Sequence, residues 1–156
     1  MLVARLLGPP LFFYGDEEIL FPSRKTLALF CYLLVERRVS REKAAGLLWS
    51  GRNEKAAQKN LRNTLYLLKK TLPDTLVLSD RQWIALTSRD KIETDLEKLD
   101  SIETMNVGQC MDYVHPFLEG LHVKECPVYD DWLQQTRYIF EERAARPGNE
   151  VYKGGC

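Results

Sequence analysis

Seven side chains recur along one stretch with a spacing suited to nucleic acid: Lys55, Lys59, Arg62, Asn63, Tyr66, Lys69 and Lys70. On a helix that turns about 100° per residue they share one side. Lysines neutralise phosphates, while Arg and Asn match the bidentate edges of guanine and adenine. The opposite arc, roughly 120° wide, carries Ala57, Leu61, Thr64, Leu65, Leu68 and Leu72. That arc must be buried. No carboxylate stands among the seven. A solvated helix face usually mixes signs, because opposite charges at i,i+4 support the helix and like charges cost a few tenths of a kcal/mol. Phosphates would supply the missing counter-charge. The alternative is an ordinary solvated face.

The elements that position this face can be read from caps and breakers. Asn53 caps a long helix over Glu54–Leu72, with Glu54 placed against its positive N-terminus and Pro73 ending it. A shorter helix precedes it, Arg41–Leu48, with Ser40 as N-cap and Val39 as a hydrophobic staple. Leu47, Leu48 and Trp49 bury the end of the shorter helix, and residues 50–53 make the turn between the two. Before them, Ser23 caps a helix over Arg24–Arg37 with an apolar stripe of Leu27, Phe30, Cys31, Leu34 and Val35. After them, Leu76–Leu78 and Trp83–Leu86 read as two strands at hairpin distance, with Arg81 at the tip. Arg81 is placed to reach a minor groove or a phosphate, or is simply a polar tip. Asn60 projects beside the apolar arc, which predicts a structural hydrogen bond.

The N-terminal segment reads as three short strands, Leu2–Leu7, Leu11–Tyr14 and Glu18–Phe21, punctuated by Gly8-Pro9-Pro10 and Gly15-Asp16. The second pair predicts a tight hairpin, and the three strands a small antiparallel sheet covered by the helices. The fold class expected is α+β: an N-terminal antiparallel sheet, three helices, a hairpin wing and a short helical appendage. The domain expectation is 1–97 for the winged-helix unit, 98–145 for a partial helical segment and 146–156 for a disordered or vector-derived tail.

The net charge of zero hides an asymmetry. Residues 1–72 carry 13 Lys and Arg against 6 Asp and Glu, and residues 73–156 carry 9 against 16. A basic first half agrees with a nucleic-acid face there. The acidic run of Asp90, Glu93, Asp95, Glu97, Asp100 and Glu103 is an interaction surface or a solvated face, and Asp95–Ser101 reads as a short amphipathic helix. The apolar share of 45% suits a folded domain. The longest apolar stretch, Leu27–Val35, is about half a membrane span, and the N-terminus lacks the pattern of a signal peptide. A cytoplasmic protein with no membrane contact is the expectation.

Enzyme chemistry finds little to work with. There is no GxGxxG, GxxxxGK[ST], GxSxG or HExxH. Asp130-Asp131 and Glu141-Glu142 are adjacent, so on a helix they point about 100° apart. Cys31, Cys110, Cys126 and Cys156 form no CxxC, and His115 and His122 complete no zinc pattern. Cys31 reads as a core residue. A reducing cytoplasm disfavours a Cys110–Cys126 bridge. No cofactor, metal site or catalytic residue is expected.

Several short pieces resemble a known family in order and spacing. Leu6-Leu7-Gly8-Pro9, Arg24-Lys25, Val39-Ser40-Arg41-Glu42, Leu47-Leu48-Trp49 and Asn60-Leu61-Arg62 look like the DNA-binding domain of the actinomycete antibiotic-regulator (SARP-type) transcriptional activators. That domain is a winged helix of the response-regulator output type, and the similarity covers about residues 2–97. Phe117-Leu118-Glu119-Gly120 and Tyr129-Asp130-Asp131-Trp132-Leu133 resemble the opening of the bacterial transcriptional activation domain that follows it.

The resemblance implies a transcription regulator that binds double-stranded promoter DNA. The helix over Glu54–Leu72 would enter the major groove, with Arg62 or Asn63 contacting bases and the lysines positioning it on phosphates. Ser40, Arg41 and Arg52 would bring the starts of the second and third helices to the backbone. RNA polymerase and a second protomer on repeated half-sites are the implied partners. The competing class is a protein-interaction module on the same scaffold, and RNA binding by the basic helix ranks below both. One departure stands out. In the family the activation domain is a full helical domain, whereas here a single helix, roughly Val128–Ala145, would have to bury Trp132, Leu133, Ile139 and Phe140 alone. The expectation is a piece of a longer regulator, or a short member whose partner covers that face.

Overall fold

The computed structural model describes residues 1–73, 75–87, 89–97, 99 and 115–144. Helix α1, Arg24–Glu36, lies at the centre, and its interior carries no charge between Thr26 and Val35. Thr26, Ala28, Leu29, Phe30, Cys31, Tyr32, Leu33 and Leu34 are all buried, so α1 is covered on nearly every side rather than along one stripe. Ser23 caps it as expected, its Oγ accepting from the Thr26 N–H at 3.1 Å. Arg37 closes it with a left-handed φ of 73°, and its N–H donates to the Leu33 carbonyl.

Two sheets flank this helix. The first has the order β3-β2-β1-β7, from β1 (Leu2–Arg5), β2 (Leu11–Tyr14), β3 (Glu17–Glu18) and β7 (Ile92–Thr94). Gly15-Asp16 closes the β2–β3 hairpin as the sequence predicts, with Gly15 at φ 63°. Three details differ from the expectation. The sheet is mixed, because β7 pairs with β1 in parallel; parallel neighbours come from distant sequence, and local periodicity cannot announce them. β3 ends at Glu18, and Phe21 turns inward instead, stacking edge-on against Phe12 at 5.0 Å between centroids and lying beside Phe30. β1 ends at Arg5, and the N–H groups of Leu6 and Leu7 donate to the two carboxylate oxygens of Asp95 at 2.8 and 3.1 Å. Asp95 is therefore a structural acceptor. Residues 95–97 and Leu99 are 3-10 helical, while the rest of the short helix expected over Asp95–Ser101, with Asp100, and Glu103 lie outside the described residues.

The second sheet, β4-β6-β5, combines the expected hairpin β5 (Val77–Ser79) and β6 (Trp83–Leu86) with an unforeseen strand β4 (Arg38–Ser40). Val39 pairs with Ile84 and Ser40 with Trp83, which joins the start of the next helix to the hairpin. That helix, α2, spans Arg41–Leu48, and α3 spans Glu54–Thr71; both match the predicted ranges to within a residue. α3 packs on α1 and α2 through Ala57, Leu61, Thr64, Leu65 and Leu68, the arc the periodicity marks as buried.

Helix α4, Pro127–Ala144, starts with proline at its first position, where the missing N–H costs nothing. The chain itself covers much of its apolar face. Tyr129, Leu133 and Phe140 are buried in the common core. The Tyr129 hydroxyl donates to the Ala28 carbonyl at 2.8 Å, and burial raises its phenol well above the usual range. Trp132 stacks with Tyr32 and Phe117 and donates from Nε1 to Glu36. The Arg137 guanidinium donates to the carbonyls of Phe117 and Leu118. Of the four residues this helix was expected to be unable to bury, Leu133 and Phe140 are buried and Trp132 partly buried by the chain's own core, while Ile139 stays exposed, as does Tyr138. Gly8, at φ 114°, lets the chain turn against the 115–119 segment, donating to the Pro116 carbonyl and accepting from the Glu119 N–H. No helix among the described residues is long and apolar enough to cross a membrane. Cys110, Cys156 and the tail 146–156 lie outside the described residues.

Candidate nucleic-acid interface

The cationic arc of α3 is open to solvent. Lys55, Lys59, Arg62, Asn63, Tyr66, Lys69 and Lys70 are all exposed, and Tyr66 retains 65% of its accessible surface. The buried arc opposite fixes the helix's rotation, so the exposed arc cannot turn away without lifting Leu61 and Leu68, both fully buried, out of the core. At the N-terminus, Asn53 Oδ1 accepts from the Ala56 N–H at 2.8 Å. Glu54 and the pair Lys69, Lys70 lie at the ends where the helix dipole favours their signs. Among the described residues no ion pair involves a cation of α3; the ion-pair geometry present joins His115 and Glu119. Lys69 is the one tethered cation of the arc, its Nζ donating to Ser79 Oγ on β5 at 2.5 Å.

The remaining residues singled out from sequence fall into two places. Ser40, Arg41 and Arg81 come together around a hollow beside Gln58 of α3 and Trp83 of β6. Their roles differ there. Ser40 Oγ is occupied as the α2 cap, accepting from the Lys43 N–H at 3.0 Å. Arg41 is half-buried and donates from Nε to the Asp80 carbonyl at 2.6 Å, which ties the start of α2 to the hairpin tip. Arg81 is exposed at that tip. Arg52 stands apart, exposed in the turn between α2 and α3.

The tip itself is held by Asp80. Its carboxylate accepts from the N–H groups of Gln82 and Trp83, both at 2.8 Å. Those two bonds hold its pKa below the ordinary aspartate value, with Arg41 and Arg38 adding to the effect. Behind the tip, the Arg38 guanidinium lies 3.8 Å from the centroid of the Trp83 ring.

Sequence reasoning missed four contributors. Gln58 joins the hollow because it lies on the flank of α3 nearest the hairpin, and Arg38 reaches Trp83 through the β4–β6 pairing. Lys25 and Lys124 line a groove on the other flank with Asn60 and Asn63. The Arg24-Lys25 pair was visible as a helix start, but nothing local links it to Lys124. Asn60 is half-buried, and among the described residues its side chain makes no hydrogen bond, contrary to expectation.

No protein-family model and no curated protein matches the sequence. Among solved structures, Mycobacterium tuberculosis EmbR, determined in complex with a low affinity phosphopeptide, superimposes with a TM-score of 0.63 at 14% identity. The match covers 95% of this chain and 46% of that one, so the chain spans about half the length of its structural neighbour. At this identity the likeness concerns the fold alone: the mixed α+β arrangement, with four helices and two sheets among the described residues, resembles that of EmbR.

Proposed function

We propose that this chain is a winged-helix DNA-binding module of a transcriptional regulator of the antibiotic-regulator type. α3 enters the major groove, β5–β6 is the wing, and Arg81 meets the backbone or minor groove beside it. Promoter DNA is the partner, with RNA polymerase and a second protomer as further partners of an activator. The observation that carries this reading is the exposed arc of α3. It holds five cations and no carboxylate, none of them ion-paired among the described residues, on a helix whose other arc is buried. Such a face costs folding energy through like-charge repulsion and gains when phosphates approach. Arg62 and Asn63 have the donor geometry for base edges.

The test is a fluorescence-anisotropy titration against a pool of duplex DNA at low and moderate salt. Four lysines on four phosphates give a slope of about −3.6 in log K against log salt, which is a loss on the order of 100-fold between about 50 and 200 mM. Binding that ignores salt, or no binding at low salt, contradicts the reading and points to a protein-docking role for the same scaffold.

A further inference from the structure

Beside α3, on the flank away from the hairpin hollow, lies an open groove of ≈ 330 Å³. Three cations line it from separate parts of the chain: Arg24 and Lys25 at the start of α1, and Lys124 in the segment leading to α4. Trp49, Asn60 and Asn63 are also among its lining residues, and no carboxylate lines it.

The groove is held in shape. Arg24 donates from a terminal guanidinium nitrogen to the His122 carbonyl at 3.2 Å. Lys25 Nζ sits 5.0 Å from the Trp49 ring centroid. The Cys126 thiol donates to the Leu48 carbonyl at the end of α2, which fixes the Lys124 loop against the helix pair. Among the described residues none of the three cations is ion-paired. Three cations with no ion pair among the described residues line one groove, although the chain brings them from positions about a hundred apart. An anion seated there would meet favourable charge from all three.

Asn63 belongs to both the groove and the exposed arc of α3. A duplex engaged by that arc would pass beside the groove.

We propose that this groove seats a DNA backbone phosphate, so that Lys25 and Lys124 bind DNA together with α3. The segment after the hairpin then acts in DNA binding as well as in covering α1. The proposal rests on the DNA-binding reading of α3, and the experiment separates the two.

Salt slopes are measured for the full chain and for the Lys124→Ala, Lys25→Gln and Lys70→Ala variants on one duplex, with circular dichroism melts in parallel. Lys124 is exposed and its side chain makes no hydrogen bond among the described residues. Lys25→Gln keeps a stem over Trp49. Each groove variant is expected to flatten the slope by about one and to lose about fourfold less affinity between about 50 and 200 mM salt, with unchanged melting. The double variant flattens it by about two. Slopes for both groove variants that match the full chain, while Lys70→Ala flattens the slope, overturn the groove and leave the α3 reading standing. Failure of the unmodified chain to bind duplex DNA overturns both.

Discussion

α1 and α3 are neighbours in the core and obey opposite rules. α1 has an uncharged interior whose residues Thr26 and Ala28 to Leu34 are all buried, so every substitution at those positions meets packed atoms. α3 buries one arc and exposes another that is cationic and unpaired among the described residues. The first helix is a scaffold whose sequence is set by packing. The second carries two sets of constraints on two faces, and its exposed set is not explained by stability. A residue's contribution to folding and its contribution to binding should therefore separate cleanly along α3 and not at all among the buried positions of α1, Thr26 and Ala28 to Leu34.

The largest break in that comparison is Phe30→Ala. Phe30 is fully buried between Phe12 and Phe21, and its loss should cost about 3–5 kcal/mol in a denaturant or thermal melt. Next is Leu61→Ala on the buried arc of α3, at about 2–5 kcal/mol of stability. It follows the behaviour of α1 although it lies one residue from Arg62. Ser40→Ala is smaller, about 1 kcal/mol for a lost helix cap. Because Ser40 Oγ is committed to the Lys43 N–H, the salt slope of DNA binding should stay the same. The smallest effect is at the hairpin tip. The pKa of Asp80 is lowered by folding, so its contribution is complete above the unfolded aspartate pKa and is lost as pH falls through the lower folded value. A carboxyl NMR titration should place its midpoint below the ordinary aspartate range, and a midpoint at the ordinary value would mean the Gln82 and Trp83 bonds are not held in solution.

Whatever depends on neighbours three or four residues away was legible in the sequence. The caps Ser23, Ser40 and Asn53, the bounds of α2 and α3 and the buried arc of α3 all follow from local spacing and hydrogen-bonding chemistry. The tight β2–β3 turn follows from Gly15-Asp16. The misses are contacts between distant segments. β4 is only three residues long and exists because Val39 meets Ile84, 45 positions away. β7 shows no alternation that names β1 as its partner. α4 looked uncoverable because its cover, α1 and Phe117, could not be seen from its own pattern. The candidate interface divides the same way. The α3 face was readable from periodicity, while the groove pairing Lys25 with Lys124 exists only once the chain has folded.

The central claim is that the exposed arc of α3 reads DNA, and Arg62 tests it most directly. The affinity of Arg62→Ala would be compared with that of the unmodified chain on a duplex selected from a random pool and on an unselected duplex, with melting curves alongside. A loss of roughly 1–3 kcal/mol on the selected duplex, a smaller loss on the unselected one and an unchanged melt are predicted. Unchanged affinity for the selected duplex would contradict the assignment of this face.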